Sequence, residues 1–271
     1  MKIEKPPIII TGCARSGTSL TAGIVNLSGA YGGDMHGPNK YNARGMYENK
    51  SIKEVLDKPY LRSIGADPKG QKPLPGEDGV PGTDALPIPN DWKKRVEDLF
   101  IQQGYGNPFT FEVPAIDDPD VPAPAIRLHY DGKNGQWFIK LARACLTWPV
   151  WHHAFPNAKW VIVRRLDGGI IDSCMKTAFM NSYSNQEGWQ HWIDHHKEKF
   201  GEMIEEGLNV SVFWPEQMVL GNYQPAYELI EWLGLEWHPK HIENFVSPKL
   251  WHPRKQRIRE IAIQRRQNRN L

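Results

Sequence analysis

The first regular pattern in the chain is an apolar run that suits burial on both of its faces. Residues 8–11 read Ile-Ile-Ile-Thr, which is typical of a central parallel strand covered on two sides. Gly12 ends this run, and residues 18–28 then place apolar side chains at helical spacing until Gly29. The pattern predicts a strand, a glycine-containing loop and a helix in immediate succession.

The same two patterns alternate through much of the remaining chain. Short β-rich runs predict further strands at 136–141, 159–164 and 209–213. Helical spacing predicts helices at 91–103, 142–154, 168–181, 186–206 and 224–233. Strands that alternate with helices indicate an α/β fold in which helices flank a central parallel sheet.

Three stretches interrupt this alternation. An insert at about 57–90 is rich in Pro and Gly from residue 69 onwards, which predicts a long surface excursion that buries little apolar surface, and 114–125 is also Pro-rich. Such inserts commonly act as lids or face a substrate. The stretch 249–271 holds eight Lys or Arg against one acid, so basic charge collects at one end of a predicted single domain, 1–271.

Composition narrows the classes of function. The chain has 33 Lys or Arg and 31 Asp or Glu, a formal net charge of +2, so a nucleic-acid partner is not expected. Its three cysteines, Cys13, Cys145 and Cys174, have wide spacings that indicate neither a disulfide framework nor a zinc cluster. Because the first apolar run is too short for a secretory core or a membrane span, we expect a cytoplasmic protein with no membrane partner.

The loop after the first predicted strand has the spacing of a phosphate-binding loop. Residues 12–19 read Gly-Cys-Ala-Arg-Ser-Gly-Thr-Ser, between a predicted strand and a predicted helix. Glycines let successive backbone N–H groups point inward, and the helix start adds its positive dipole end. The alternative is a plain tight turn with Arg15 in solvent. Thr18 stands where a kinase or ATPase has Lys, so a triphosphate site is disfavoured, and Arg15 supplies a planar guanidinium instead.

A second candidate anion site lies at 159–176, where a predicted strand ends in Arg164 and Arg165 and a predicted helix carries Ser173. With the first loop, this segment resembles the sulfotransferases that use 3′-phosphoadenosine 5′-phosphosulfate (PAPS), in which an Arg at a strand end and a Ser eight residues later hold the 3′-phosphate. The resemblance implies a P-loop-containing nucleotide-binding fold and makes Arg165 and Ser173 the 3′-phosphate clamp. Arg164 is the alternative if the register slips.

The resemblance also implies a 5′-phosphosulfate loop, made of Arg15, Ser16, Gly17, Thr18 and Ser19. It extends over roughly residues 8–250, including 42–48, which is similar to an Asn-Pro-x-Gly-(aromatic)-(aromatic)-Glu element of the bacterial enzymes, and 140–143, which stands where they have Lys-Asp-Pro-Arg. Basic residues near the end of the chain close over the 3′-phosphate in this family. Arg254 and Lys255 are therefore expected cofactor contacts, although a solvated tail and a polyanion-binding tail are equal alternatives.

Sulfuryl transfer to a hydroxyl needs positive charge at the transferring group and a base for the acceptor proton. We assign the charge to Arg15 and Lys140, and no metal is required. Cytosolic relatives carry a catalytic His where this chain has Ala142, so Glu48 is the expected base and His36 is the second candidate. Glu48 could instead be a helix-start acid, with Asn49 or Ser51 as the cap.

The expected acceptor is a small-molecule or carbohydrate hydroxyl, and the Pro/Gly-rich insert at 57–90 is expected to border its pocket. Two rival functions stay open on the sequence alone: a P-loop nucleotide kinase or hydrolase, and a nucleotide-binding protein without catalysis. The histidines at 191, 195 and 196 include a pair four residues apart, a spacing that metal sites can use, but a partly exposed amphipathic helix is the favoured interpretation. The oligomeric state is not predicted.

Overall fold

A four-stranded parallel sheet forms the centre of the protein. In the computed structural model, which describes residues 2–120, 122–133 and 135–251, the strands are β1 (Ile8–Gly12), β4 (Phe138–Lys140), β5 (Lys159–Val163) and β6 (Val210–Phe213). Their order across the sheet is β4-β1-β5-β6. Each neighbouring pair is parallel, with Ile10 opposite both Lys140 and Val161. The predicted α/β fold with a central parallel sheet is confirmed.

Helices connect the strands and cover the sheet. They are α1 (Thr18–Leu27), α2 (Lys58–Ser63), α3 (Trp92–Gln102), α4 (Trp148–Ala154), α5 (Asp167–Met175), α6 (Gln186–Glu205), α7 (Glu216–Val219), α8 (Gln224–Leu233) and α9 (Pro239–Phe245). Single irregular turns add a π-helical segment at Ile52–Asp57 and 3-10 turns at Thr83–Ala85, Ala142–Thr147 and Pro248–Leu250. No helix in the described part of the chain has both the length and the apolar character that a bilayer crossing requires.

The alternation of side chains along β1 divides the core into two layers. Ile8 and Ile10 pack with apolar residues of α1, α8 and α9 on one face of the sheet. Ile9 packs on the other face among aromatic side chains, Trp151 and Trp160 included. All five residues of β1 are buried. Two-sided burial is therefore the reason that this strand reads as a continuous apolar run.

Several element boundaries differ from the sequence-based prediction. The strand predicted at 136–141 covers only Phe138–Lys140, the helix predicted at 142–154 begins as a 3-10 turn, and the helix predicted at 168–181 ends at Met175. An antiparallel pair, β2 (Phe109–Val113) and β3 (Ile126–Tyr130), was not predicted at all. The Pro-rich passage at 114–125 connects these two strands, so the composition of a connection obscured the hairpin-like unit around it.

The insert at 57–90 is anchored to the body of the protein, although its composition predicts a surface excursion. Gln71 is buried, and its Nε2 donates to the carbonyl of Phe179 at 2.8 Å. The indole of Trp192 on α6 donates to the Gly70 carbonyl at 2.9 Å. Leu74 is also fully buried. The prediction that this insert buries little apolar surface is wrong because α6 supplies an apolar face for it to cover.

A buried ion pair joins the start of that insert to the turn after β4. The Nε of Arg143 donates to a carboxylate oxygen of Asp57. Both side chains are nearly inaccessible, at 8% and 2% exposure. A charge left alone in such a place lacks both water and a counter-ion, so removal of one partner is costly. The pair thus holds the helical segment before the insert against the strand that carries Lys140.

We expect Asp57→Ala to lower the free energy of unfolding by about 3–5 kcal/mol, because Arg143 would remain buried without a counter-ion. The matched control is Asp34→Ala, which removes the partner of Lys50 from a pair whose side chains are 58% and 46% exposed. The control should cost less than about 1 kcal/mol, since water screens that pair. Urea unfolding measures both losses, and equal losses would contradict the proposed role of the buried pair.

Candidate active site

The loop between β1 and α1 has a backbone that requires glycine. Gly12 and Gly17 have φ angles of 148° and 104°, in the region that side chains disfavour. A Cβ on Gly12 would lie 2.4 Å from the carbonyl oxygen of Val163, so the loop packs directly on the end of β5. A Cβ on Gly17 would lie 2.8 Å from the indole of Trp251. Both glycines therefore allow close approach as well as the turn itself.

The same loop presents unpaired donors to an anion. Helix α1 begins after Gly17, and no side chain of the described residues caps it, so its first N–H groups keep their hydrogen-bonding capacity. Gly17, Thr18 and Ser19 line a cavity at this point. The hydroxyl of Ser16 is buried and has no hydrogen-bond partner within the described ranges. Buried polar atoms of this kind are normally satisfied, but Ser16 is not among the residues that line the cavity, so this hydroxyl does not by itself indicate a ligand.

Arg15 adopts a left-handed conformation that is unusual for a residue with a side chain, with φ of 72°. Its carbonyl oxygen accepts a hydrogen bond from Nη1 of Arg165 at 3.1 Å. Strained residues of this kind persist where surrounding contacts hold them. We call the loop after β1 and the segment that carries Arg165 and Ser173 the two half-sites of the cavity. Through this hydrogen bond, Arg165 of the second half-site stabilises the backbone shape of the first.

The guanidinium of Arg165 is held on several sides at the end of β5. It is 7% exposed. Its Cζ lies 4.3 Å from the ring centre of Trp251, and its Nε lies 3.6 Å from a carboxylate oxygen of Glu216. Stacking and ion pairing restrict the rotation of a guanidinium, whose donors then point in a defined direction. The guanidinium of Arg165 therefore has a fixed position in the cavity wall.

Arg15 and Ser173 join the two half-sites directly. Nε of Arg15 donates to the hydroxyl of Ser173 at 2.8 Å, across 158 residues of sequence. Burial lowers the pKa of Arg15. The prediction assigned Arg15 to the transferring sulfuryl group, whereas here its side chain lies with the Ser173 half of the site.

The structure distinguishes the two arginines at the end of β5. Arg164 lies over the rings of Phe200 and Trp214, at 5.5 Å from each ring centre. It is absent from the cavity wall, to which Arg165 belongs. Since successive side chains of a strand point to opposite faces, only one of the pair can reach the cavity. The register that places Arg165 there is the one that the sequence analysis preferred.

Glu48 and Lys140 form a buried, charged centre in the same cavity. Nζ of Lys140 lies 3.1 Å from one oxygen of Glu48, and Nζ of Lys53 lies 2.7 Å from the other. Burial by itself would raise the pKa of Glu48, but Lys140, Arg143 and Lys53 together outweigh burial and hold that pKa well below its usual range. Burial lowers the pKa of Lys140, and Glu48 opposes this change. Glu48 is thus an ionised carboxylate between two lysines.

Glu48 also lies at the start of a helical segment, as the alternative interpretation of the sequence holds. The side chain of Asn49 accepts a hydrogen bond from the N–H of Ile52 at 3.1 Å, so Asn49 caps that segment. His36 is adjacent, since its N–H donates to the Glu48 carbonyl at 2.9 Å. Its imidazole is not part of the cavity wall. Burial, followed by the charge of Lys53, lowers the pKa of His36.

A single cavity of about 600 Å³ receives both half-sites and the Glu48–Lys140 pair. Its volume falls within the usual range for ligand sites. Two carboxylates, Glu48 and Asp172, face it against six cationic side chains, those of Arg15, Lys40, Arg44, Lys140, Arg165 and Lys176. The wall includes eight of the residues assigned from sequence, namely Arg15, Gly17, Thr18, Ser19, Glu48, Lys140, Arg165 and Ser173. Ser16 and His36 are outside the wall.

Several residues of the wall were not identified from the sequence. Lys176 and Thr177 follow Ser173 by three and four residues, a helical spacing that could have indicated them. Lys40, Tyr41 and Trp251 carry no such signal, because only the folded chain brings them to the loop. No residue of the insert at 57–90 lines the cavity, so the prediction that the insert borders this pocket is wrong. Residues 40–46 and 172–179 border it instead.

Two further predictions concern other parts of the chain. Arg254 and Lys255, the expected contacts in the basic C-terminal segment, lie outside the described residues. His191 pairs with Glu77 at 2.8 Å, and Nδ1 of His196 lies 2.8 Å from the carbonyl of Trp192. Within the described ranges, no group of three or more His, Cys, Asp or Glu side chains is placed to hold a metal ion.

Comparisons with known proteins give matches only at the level of structure. No protein-family model and no curated protein matches the chain. The sulfotransferase domain from the curacin biosynthetic pathway is 12% identical over 96% of this chain and 98% of its own, with a TM-score of 0.45. Sulfotransferase STF1 from Mycobacterium tuberculosis H37Rv is 13% identical over 89% of this chain and 70% of its own, with a TM-score of 0.39. Function must therefore be argued from the cavity itself.

Proposed function

We propose that this protein is a PAPS-dependent sulfotransferase that moves a sulfuryl group to a hydroxyl acceptor and leaves adenosine 3′,5′-bisphosphate. The observation that carries the proposal is the direct junction of two anion sites from distant parts of the chain. Arg15 donates to Ser173, and Arg165 donates to the backbone of Arg15, within one cavity. A ligand with anionic groups at both ends of a ribose matches two such sites.

The donor sites fit this ligand in charge and in hydrogen-bonding capacity. The start of α1, which lines the cavity at Gly17, Thr18 and Ser19, supplies N–H donors that no side chain of the described residues caps. Arg165 supplies a fixed guanidinium, which suits a phosphate better than a lysine does. The cavity is large enough for a nucleotide and an acceptor side by side. PAPS would contribute the activated sulfuryl group. The chain's own residues would bind the donor, stabilise the charge that develops and accept the proton of the acceptor.

Two features, the loop residue Thr18 and the ion pairs of Glu48, disfavour the rival kinase or hydrolase function. Such enzymes hold magnesium with an acidic side chain and reach the outer phosphates with a loop Lys. Here Thr18 stands in place of that Lys. Glu48 binds two lysines rather than an open metal position. The purely binding function is disfavoured because burial of the Glu48–Lys140 pair is costly and nucleotide binding alone does not require it.

In the proposed reaction, the acceptor oxygen bonds to sulfur as the bond from sulfur to the 5′-phosphate oxygen breaks. Lys140 stabilises the charge that develops on the departing oxygen, and the α1 N–H groups stabilise the phosphate. The acceptor proton goes to a carboxylate oxygen of Glu48. Both side chains are buried, so water does not weaken their interactions with the reacting group.

A carboxylate of low pKa can serve as this base because the proton leaves late. The acceptor oxygen becomes acidic only while it bonds to sulfur, and the proton then moves to the nearest acceptor atom. Lys140 and Lys53 keep Glu48 ionised and oriented beforehand. The site thus uses a weak base that is held in a fixed position instead of a stronger base whose position varies.

The first expected result concerns ligand selectivity. Adenosine 3′,5′-bisphosphate at a hundredfold excess over its Kd should stabilise the protein by about 2.7 kcal/mol, a melting shift on the order of 5–10 °C. ATP with magnesium at the same concentration should give a much smaller shift. Differential scanning fluorimetry measures both, and stabilisation by ATP-magnesium alone would refute the proposed donor.

A second expectation separates the two half-sites. Arg165→Ala should weaken binding of adenosine 3′,5′-bisphosphate about tenfold to hundredfold, because a charged hydrogen-bond donor to the 3′-phosphate is lost. Binding of adenosine 5′-phosphate should weaken less, because only the support that Arg165 gives to the Arg15 loop is lost there. Arg164→Ala is the matched control and should change neither affinity. Calorimetric titration provides the values, and equal weakening of both nucleotides in Arg165→Ala would show that this residue does not contact the 3′-phosphate.

A third expectation tests the base. Glu48→Gln should reduce kcat at least a hundredfold while the donor still binds, since the amide keeps the shape but accepts no proton. Because the pKa of Glu48 is lowered, the wild-type carboxylate is already ionised at pH 5, and the acid limb of the kcat profile should lie below that pH. A turnover assay with PAPS over pH 5–8 measures the loss of kcat in the variant, and the wild-type kcat should show no acid limb within that range. An unchanged rate in Glu48→Gln would exclude Glu48 as the base.

A further inference from the structure

One continuous segment of chain, residues 40–46, lines the cavity, and Glu48 follows it by two residues in the same wall. We call the part of the cavity beside this segment the acceptor route. The carbonyl of Met46 accepts a hydrogen bond from the hydroxyl of Ser19 at 3.2 Å, which ties this segment to the start of α1. An acceptor whose hydroxyl reaches Glu48 can therefore contact residues 40–46.

An aromatic pair spans this route. The ring of Tyr41, from one wall, meets the ring of Phe179, from the other, at 5.1 Å between centres and an interplanar angle of 88°. Both rings belong to the cavity lining and both are half-buried. Edge-to-face pairs leave ring faces available, and flat aromatic ligands gain most from such faces. The walls thus favour a planar ring over a saturated or extended body.

Both walls are held in place from behind. Arg44 donates to the carbonyls of Pro124 at 3.0 Å and of Asn244 at 2.7 Å, which fixes the segment that carries Tyr41. On the other wall, the buried amide of Gln71 donates to the carbonyl of Phe179 at 2.8 Å. A site whose rings are fixed before binding loses less entropy when a ligand enters. The two rings therefore have fixed positions in the cavity wall before a ligand binds.

The rim of the route carries positive charge next to the aromatic pair. Nζ of Lys40 lies 5.0 Å from the ring centre of Tyr41, in a cation–π contact. Lys40 is exposed, and none of the described carboxylates lies within ion-pair distance of it. A ring that packs on Tyr41 lies beside this ammonium group, and Glu48 belongs to the same cavity wall. A substituent of that ring that faces the ammonium group is best matched by an anion.

We propose that the acceptor is a phenol or other aromatic alcohol that carries a carboxylate at the end opposite its hydroxyl. Tyr41 and Phe179 bind the ring, and Lys40 binds the carboxylate. This assignment rests on the proposed sulfotransferase function for the direction in which the hydroxyl points. It makes Tyr41, Phe179 and Lys40 residues that determine acceptor specificity.

The test uses phloretic acid, its primary amide and its ring-saturated cyclohexyl analogue as probes. Each is titrated by calorimetry into the wild-type protein with and without saturating adenosine 3′,5′-bisphosphate. We expect the acid to bind about fivefold more tightly than the amide, and the phenol ring about fivefold to tenfold more tightly than the saturated ring. Equal affinities for the acid and the amide, or for the two rings, would overturn the proposal.

Variants assign these preferences to residues. Tyr41→Leu and Phe179→Leu should each weaken the phenol about fivefold and leave the ring-saturated analogue nearly unchanged. Lys40→Met should reduce the preference for acid over amide to less than twofold. Tyr227→Leu and Lys93→Met, which alter an exposed tyrosine and an exposed lysine outside the cavity wall, are the matched controls. Unchanged preferences in all three cavity variants would refute the assignment.

The outcome distinguishes this inference from the proposed function on which it rests. Loss of stabilisation by the bisphosphate would refute the donor, and the titrations without bisphosphate would still decide whether the aromatic acid binds at Tyr41 and Phe179. Stabilisation by the bisphosphate with no aromatic or acid preference would keep the sulfotransferase proposal and refute only the acceptor class. Bisphosphate affinity in the three cavity variants should stay within twofold of wild type, which also shows that they are folded.

Discussion

The contact of Arg15 with Arg165 and Ser173 is the constraint on which the site depends. It joins a loop that follows the first strand to a helix about 150 residues later. Because Arg15 has a left-handed backbone, the loop shape is costly unless something holds it. The guanidinium of Arg165 does so, and it is itself held by Trp251 and Glu216. The loop after β1 and the segment after β5 therefore support each other's geometry.

Buried charge accounts for the second level of organisation. Glu48, Lys140 and Lys53 form one cluster. Arg143, which follows Lys140 by three residues at the end of β4, forms a second buried pair with Asp57. Burial of so many charges gives little net stability, since desolvation offsets most of the attraction. Their value lies in position and protonation state. In the proposed reaction, the cluster keeps a carboxylate ionised and an ammonium group close to the departing oxygen.

Sequence reasoning was most successful where local pattern and burial agree. Strand β1, the glycine loop and α1 were predicted together because a two-sided apolar run, two glycines and a helical period are all local signals. It was least successful at 109–130, where the Pro-rich connection concealed an antiparallel pair. The insert at 57–90 was misjudged for a related reason: its composition describes the segment alone, whereas the apolar face it covers belongs to α6.

The amino-acid sequence alone determined the α/β class and the succession of strand, glycine loop and helix at its start, because each depends on residue type and short spacing. Only the tertiary structure decided that Arg165 rather than Arg164 enters the cavity, that Lys53 joins Glu48, and that residues 40–46 form the wall. These features depend on contacts between segments far apart in the chain. A pattern within one segment does not specify which distant side chain will pack against it.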